Sequence, residues 1–133
     1  KLRSAGLRTT KQRLKICEAL FNREKTFHFT INDLAKNISN QLSEKISLAT
    51  IYNTVHAFKN KGYLKEISIN SDKSYFDTNI TDHHHFFDED TNELIDCGDD
   101  VLEKVKIKKN ITRKKINSIE VLIKVASDNQ NQN

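Results

Sequence analysis

Three consecutive histidines, His83, His84 and His85, lie in the second half of the chain, directly after Asp82. Successive side chains of a β-strand point to opposite faces, so a strand here places His83 and His85 on one face, with their Cα atoms about 7 Å apart. Two imidazoles at that spacing can converge on a single metal ion. A polar strand exposed to solvent would show the same residues, and the histidines alone do not decide between the two interpretations.

Two aspartates add oxygen ligands to this candidate site. Asp77 ends a predicted hairpin and Asp96 ends the strand that follows the histidines, so both carboxylates can approach His83 and His85. Mixed imidazole and carboxylate ligation suits Mn, Fe or Zn better than the ions that prefer thiolates. His84 points away from its neighbours, either as a ligand of a second site or as an exposed side chain.

The composition of the chain separates into a basic half and an acidic half. Residues 1–68 carry 13 Lys and Arg against 5 Asp and Glu, whereas residues 69–133 carry 9 against 13. A basic half suits a polyanion and an acidic, histidine-containing half suits a cation, although both could be solvated surface. No apolar run approaches the roughly 18 residues of a membrane span. Two cysteines without a C-x-x-C pair favour a reducing cytoplasm and exclude the usual zinc-binding staple.

The first half of the chain is predicted to contain three helices and a hairpin. The helices run over 9–23 after an N-cap at Thr9 or Thr10, from Thr30 up to a connection over 41–46, and over 47–61 before Gly62. Strands follow over 63–69 and 73–77. The predicted buried faces are Leu14, Cys17, Leu20 and Phe21 in the first helix, Ile31, Leu34, Ala35 and Ile38 in the second, and Leu48, Ile51, Val55 and Phe58 in the third.

The second half is predicted to be shorter elements around the histidines. Strands are expected over 83–87 and 93–97, then a helix over 99–109 and a final strand over 119–125 with alternating apolar residues. The polar residues 128–133 are predicted to be a disordered tail.

The third helix presents a small, hydrogen-bonding face opposite its buried side, with Thr50, Asn53 and His56 on it and Tyr52 at its flank. The second and third helices are joined by a short connection, and the third carries this hydrogen-bonding face, so the two are predicted to form a helix-turn-helix. The hairpin that follows makes the predicted domain a winged helix. Charge-assisted contacts to phosphate are expected from Lys11, Arg13 and Lys15. The basic balance favours DNA binding over a winged helix that serves protein contacts alone.

Four stretches of the chain, in order and over about residues 3–125, resemble the ferric uptake regulator (Fur) family. They are Leu7–Arg13, Ser47–Thr54, Lys73–Asp77 and Asp82–His85. The runs SLATIYNT, YFDTN and HHHFF look most like the family's iron response regulator (Irr) branch in alphaproteobacteria. The resemblance implies an α+β fold. Its parts are a winged helix-turn-helix DNA-binding domain over 1–77, a hinge over 78–82 and an α/β dimerisation and metal-sensing domain over 83–127.

The resemblance also assigns roles to individual residues. It implies one regulatory metal site between the two domains, with the ligands His28, Asp77, His83, His85 and Asp96. Without the resemblance, His28 reads as a boundary residue packed by aromatic neighbours. An ion bridging the domains would fix the angle between them and hence the spacing of the reading heads on DNA. The family's phosphate-gripping arginine would be Arg13, and its base-contacting tyrosine would be Tyr52. Together with the residues expected from their own chemistry, the predicted DNA contacts are Lys11, Arg13, Ser47, Thr50, Tyr52, Asn53 and His56.

The chain departs from the family in three respects. Asp88 and Thr91 stand where many members have a C-x-x-C pair, so no structural zinc held by four cysteines is expected. Some members have a second metal site, and His84 and Glu103 match two of its ligands. The third ligand is a histidine near the C-terminus, but no histidine follows residue 85 in this chain. Haem binding at the histidine run is implied by the branch, although the Cys-Pro haem motif is missing because the chain has no proline.

The resemblance implies a cytoplasmic homodimer that binds a palindromic operator in double-stranded DNA. It would regulate iron and haem homeostasis genes, mainly as a repressor, in response to a divalent metal or haem. Fe²⁺ or Mn²⁺ is the expected functional ion, and Zn²⁺ is an expected occupant of the purified protein. A manganese or peroxide sensor of the same family is the alternative. A His/Asp metallohydrolase is a more distant one, because no candidate general base or nucleophile accompanies the cluster. Neither an enzymatic activity nor a membrane contact is expected.

Overall fold

The computed structural model describes residues 1–41, 45–98 and 100–128 of the chain. The backbone forms two compact units, Lys1–Ile80 and Thr81–Asn133. Among the described residues, the first unit contains three helices and three strands, and the second unit contains three strands. The chain therefore has the mixed helix and sheet content of an α+β protein. Within the described ranges, no helix is both long and apolar enough to cross a bilayer. Part of the predicted connection over 41–46, and all but Asp128 of the predicted tail, lie outside the described residues.

Three helices form most of the first unit, and their N-terminal ends follow from capping residues. They are α1 (Lys11–Phe21), α2 (Ile31–Gln41) and α3 (Leu48–Lys61). The hydroxyls of Thr10, Thr30 and Ser47 accept hydrogen bonds from backbone N–H groups three residues later, at 3.1–3.2 Å. The side chain of Asp33 also accepts from the N–H of Thr30 at 3.3 Å, which completes a reciprocal cap. All three helices predicted in this part of the chain are confirmed.

Gly62 ends α3 in a left-handed conformation with φ of 90°. Its N–H donates to the carbonyls of Phe58 and Lys59, which satisfies groups that a helix end leaves open. Glycine adopts this conformation without steric cost, and this is why the helix stops where the sequence predicts.

A three-stranded sheet completes the first unit, in the order β1 (His28–Phe29), β3 (Lys73–Asp77), β2 (Lys65–Asn70). Both pairings are antiparallel. The hairpin of β2 and β3 was predicted, whereas β1 was not. With only two residues, β1 shows no alternation in the sequence, and only its pairing with β3 makes it a strand.

The core of the first unit lies between the helices and one face of this sheet, and two predicted members are wrong. Leu14 is 47% exposed and Leu48 is 52% exposed. Ile16, fully buried, lies in the core instead of Leu14, because α1 turns the face through Ile16 and Leu20 inward. The hydrophobic core cluster consists of Leu2, Ile16, Leu20, Phe29, Leu34, Ile38, Ile46, Ile51, Val55, Phe58, Leu64 and Phe76.

The second unit is built on a sheet in the order β5 (Glu93–Cys97), β4 (His84–Asp88), β6 (Leu122–Val125). β4 pairs antiparallel with β5 and parallel with β6. Phe87, Leu94 and Cys97 are buried in this unit. The strands predicted around the histidines are therefore confirmed, and the final strand is shorter than expected.

The helix predicted over 99–109 is wrong for the residues that the structure describes, 100–109, which form turns and irregular backbone. Val101 is 54% exposed and Ile107 is 48% exposed, so their side chains find little apolar surface to cover. Most helices depend on packing of an apolar face rather than on propensity. Lys104 and Lys108 would also lie one turn apart on a helix, where like charges repel.

Candidate metal centre and recognition helix

Three predicted ligands meet on one face of the second sheet. His85 on β4 is the direct cross-strand partner of Asp96 on β5, and directly paired residues of antiparallel strands share a face. His83 precedes β4 by one residue, and its ring centroid lies 4.3 Å from that of His85. One ligand atom from each of the three residues lies within 4.8 Å of the others. This is the separation at which two imidazoles and a carboxylate can share one ion.

The three side chains differ in their exposure to solvent. The His85 side chain is 6% exposed and that of His83 is 15% exposed, whereas that of Asp96 is 60% exposed. The imidazoles therefore form the inner wall of the cluster and the carboxylate forms its open side. An ion could approach from the side of Asp96 without disturbing the buried histidine.

The ring of His83 is oriented by the backbone. Its Nδ1 lies 2.7 Å from the carbonyl oxygen of Thr81, and since a carbonyl only accepts, Nδ1 carries the proton and donates. In the neutral imidazole this leaves a lone pair on Nε2. Metal-binding histidines commonly have such a backbone acceptor on the opposite nitrogen.

The carboxylate of Asp96 faces both imidazoles. Its Oδ1 lies 3.2 Å from Nε2 of His85 and 3.5 Å from Nε2 of His83. Lone pairs on His83 Nε2 and Asp96 Oδ1 repel at this distance unless a positive charge is present. The donor set of nitrogen and oxygen atoms fits a divalent Mn, Fe or Zn ion.

The other two predicted ligands, His28 and Asp77, lie together in the first unit. They are direct cross-strand partners on β1 and β3, so their side chains share one face of the sheet. Asp77 is only 1% exposed, and its Oδ1 accepts a hydrogen bond from the N–H of Asn79 at 2.9 Å. The rings of His28 and Tyr75 are in edge contact at 6.3 Å. A buried carboxylate is costly without compensating partners, and an imidazole and a carboxylate on one face are a natural half-site for a cation.

His84 lies on the opposite face of β4 from His85. Its Nδ1 accepts a hydrogen bond from the N–H of Val121 at 2.8 Å, so Nε2 is the nitrogen left for a ligand. His84 and Glu103, the two residues predicted for a second or haem site, both line a cavity of about 480 Å³. Its other walls are Gly98, Leu102, Lys104, Val105 and Ile119.

Two of the three residues predicted to grip phosphate, Lys11 and Arg13, lie around the start of α1, whereas Lys15 lines a different depression. Lys11 and Arg13 line a surface depression of about 580 Å³ together with Thr50 of α3. One guanidinium nitrogen of Arg13, Nη1, donates to the carbonyl of Arg8 at 3.0 Å, which fixes this side chain over the helix start. Sequence reasoning missed Arg8, which lines the same depression and adds a third positive charge.

The outer face of α3 carries the predicted base-contacting residues. Tyr52 is 52% exposed, and Asn53 is also exposed. Ser47 and Thr50 are engaged in the helix cap, with their hydroxyl oxygens 2.9 Å apart. The ring of Tyr52 contacts that of His56, with centroids 4.1 Å apart and the planes tilted by 37°. This face offers amide, hydroxyl and apolar groups of the kinds that recognise base edges and the thymine methyl.

Comparison with known proteins shows which family the chain resembles. The model of the ferric uptake regulator family matches residues 4–125. The ferric uptake regulation protein of Vibrio cholerae is 36% identical over 104 residues, which are 77% of this chain and 68% of that protein. The peroxide-responsive repressor PerR of Staphylococcus epidermidis is 33% identical over 105 residues, which are 79% of this chain and 68% of that protein. The crystal structure of the Vibrio cholerae ferric uptake regulator is similar, with a TM-score of 0.69 and 26% identity, over 95% of this chain and 96% of that one.

Proposed function

This chain belongs to the ferric uptake regulator family, and we propose that it controls iron and haem homeostasis genes, mainly as a repressor. Members of the family are metal-responsive transcription regulators, not enzymes, so a metallohydrolase is not favoured. The observation that carries the proposal is the cluster of His83, His85 and Asp96, whose ligand atoms lie within 4.8 Å of one another. The same chain carries an exposed, hydrogen-bonding face on α3. No feature of the cluster favours a manganese or peroxide sensor over an iron sensor.

We propose that the first unit is a winged helix that binds palindromic operator DNA, with α3 in the major groove and the β2–β3 hairpin as the wing. Tyr52, Asn53 and Thr50 would contact bases from α3. Lys11 and Arg13 would contact phosphates from the start of α1, and Ser47 and His56 would lie at the edges of the interface. The excess of 13 Lys and Arg over 5 Asp and Glu in residues 1–68 supports binding to a polyanion.

We propose that the second unit mediates the homodimer and senses the metal. His83, His85 and Asp96 would hold the ion there, and His28 and Asp77 would complete the site from the first unit. The segment 78–82 would act as the hinge between the two sets of ligands. A bound ion would supply positive charge that both sets of ligands could share. The homodimer would then present its two α3 helices at the spacing of an operator's half-sites.

We propose Fe²⁺ or Mn²⁺ as the native ion, with Zn²⁺ as an occupant after purification. Imidazole and carboxylate ligands, without thiolate, suit these ions. The ferric uptake regulator from Pseudomonas aeruginosa has the same fold at a TM-score of 0.67, and its structure was determined with manganese. Iron would be the ion sensed in the cell, because the proposed regulon concerns iron supply.

We propose that the chain belongs to the iron response regulator branch and that haem opposes DNA binding. Nε2 of His84 is the nitrogen that would hold the haem iron, because Nδ1 accepts from the N–H of Val121. The apolar side chains of Leu102, Val105 and Ile119 line the cavity beside it. Glu103 lies in the same cavity and would instead serve a second metal site if haem does not bind.

The experiment uses a palindromic duplex that the wild-type protein selects from a random pool. Gel shifts of that duplex are compared with Mn²⁺, with Fe²⁺ under anaerobic conditions, with haem and with a chelator. We expect the tightest binding with Mn²⁺ or Fe²⁺, weaker binding with chelator, and release by haem. Four coincident curves would contradict metal and haem sensing, and failure to select any duplex would contradict DNA binding.

A further inference from the structure

A stack of aromatic rings runs through the first unit, from the exposed face of α3 to the β1–β3 strand pair. The ring of Tyr52 lies 4.1 Å from that of His56, and His56 lies 5.4 Å from Phe76 in an edge-to-face contact at 79°. Phe76 stacks on Phe29 at 5.9 Å. Tyr52 is 52% exposed, whereas Phe76 and Phe29 are each 2% exposed. The stack therefore joins an exposed ring to the core of the unit.

The buried end of the stack shares its strands with two proposed metal ligands. Phe29 and Phe76 are direct partners across β1 and β3, and the next pair in the register is His28 and Asp77. Consecutive side chains of a strand alternate between faces. The two phenylalanines thus face the helical core, and His28 and Asp77 lie on the other face of the same two strands.

His56 is the link between these strands and the recognition face. It follows Tyr52 by four residues, and side chains at that spacing are neighbours on a helix surface. A half-exposed tyrosine without a ring beside it samples several orientations. An aromatic contact of this kind changes the populations of such orientations by roughly three- to tenfold.

We propose that His56 is a positioning residue that holds the ring of Tyr52 in its DNA-reading orientation. Through Phe76, it also ties Tyr52 to the strand pair that carries His28 and Asp77. With a cation between them, His28 and Asp77 would hold β1 against β3, and the ring stack would transmit that restraint to Tyr52. The coupling lies within the first unit and acts in addition to any hinge. It rests on the proposed function, because it assumes that α3 reads DNA.

The first test follows Tyr52 directly in the full chain labelled with 3-fluorotyrosine. The chain has three tyrosines, and Tyr52→Phe identifies the ¹⁹F signal of Tyr52. We expect Zn²⁺ to move this signal in the wild type and in His56→Phe, which keeps a ring at position 56. In His56→Ala and His28→Ala the signal should not respond to Zn²⁺. An equal response in His56→Ala and the wild type would overturn the proposal.

The second test measures affinity for the palindromic duplex selected by the wild type, in the presence of Zn²⁺. We expect His56→Ala to bind roughly three- to tenfold more weakly and to discriminate less against a single base-pair change under Tyr52. His56→Phe should recover most of both. Asn60→Ala, an exposed residue one turn further along α3, is the matched control and should bind as the wild type does.

The two tests separate the inference from the proposed function. If the wild type selects no duplex, the proposed DNA binding fails. If it binds DNA but His56→Ala keeps the wild-type affinity, discrimination and Zn²⁺ response, then His56 does not position Tyr52. Should His56→Ala not fold, as judged by its thermal unfolding, His56→Gln replaces it, because Gln occupies a similar volume without a ring.

Discussion

His28 and Asp77 are direct partners across strands β1 and β3, which places an imidazole and a carboxylate side by side on one face of the first sheet. Asp77 is 1% exposed, so this carboxylate is held inside the unit rather than at its surface. His83, His85 and Asp96 form a similar arrangement of imidazole and carboxylate on the second sheet. Each unit thus carries its own set of candidate metal ligands, and a directly paired imidazole and carboxylate on neighbouring strands belong to each set.

The first prediction concerns the carboxylate of the second cluster. Asp96→Asn removes the negative charge that faces His83 and His85, and we expect Zn²⁺ affinity, measured by isothermal titration, to fall by roughly 100-fold. Glu93→Gln is the matched control, because Glu93 is on the same strand but three residues away and therefore on the opposite face. Equal Zn²⁺ affinities for the two variants would show that the cluster is not the metal site.

The second prediction concerns the core of the first unit. Ile16→Ala deletes a fully buried side chain, so the free energy of unfolding should fall by about 2–5 kcal/mol. Leu14→Ala, two residues earlier on the same helix, removes a side chain that is 47% exposed and should change it far less. Urea denaturation of both variants measures the difference. A larger loss for Leu14→Ala would mean that the opposite face of α1 is buried.

The third prediction separates phosphate contacts from base contacts. Lys11→Ala should weaken DNA binding about equally for all sequences and lower the slope of log affinity against log salt by about 1. Asn53→Ala should leave that slope unchanged and relax the preference at one base pair by about 1–3 kcal/mol. Fluorescence anisotropy over a salt series measures both quantities. If Asn53→Ala alters the slope and Lys11→Ala alters the base preference, the roles are reversed.

The fourth prediction concerns acid sensitivity near the end of β6. The hydroxyl of Ser127, and after it the backbone N–H of Ser127, donate to the Asp90 carboxylate and lower the pKa of that group. Because the pKa of Asp90 is lowered in the folded state, its ionised carboxylate stabilises the fold at pH values above the pKa of the unfolded state. This contribution is lost as the pH falls through the pKa of the folded state. In an NMR titration, Asp90 should protonate at lower pH in the wild type than in Ser127→Ala. Identical midpoints would contradict the contact.

The sequence predicts those parts of the fold that local chemistry determines. Three helices begin where a hydroxyl accepts a hydrogen bond from a backbone N–H in the first turn, at Thr10, Thr30 and Ser47. The third helix ends where glycine adopts the left-handed conformation, at Gly62. The helix expected over 99–109 is absent from the described residues 100–109, because their apolar side chains find little to pack against, which no local pattern reveals. The same limit explains the exposure of Leu14 and Leu48.

The local sequence pattern predicts only part of the candidate site. The spacing of His83 and His85 follows from the alternation of side chains along a strand, and the structure pairs His85 with Asp96. The pairing of His28 with Asp77 depends on a two-residue strand and on partners distant in the sequence. Only the resemblance to a family, and not the local pattern around His28, marked it as a ligand.

The most direct measurement of the central claim is the metal dependence of DNA affinity in the wild type, His85→Ala and Glu93→Gln. Anisotropy titrations of the selected palindromic duplex are made with Mn²⁺ and with chelator. We predict that Mn²⁺ tightens binding roughly 5- to 150-fold in the wild type and in Glu93→Gln, and leaves His85→Ala unchanged. A full Mn²⁺ effect in His85→Ala would contradict the claim that this cluster senses the metal for DNA binding.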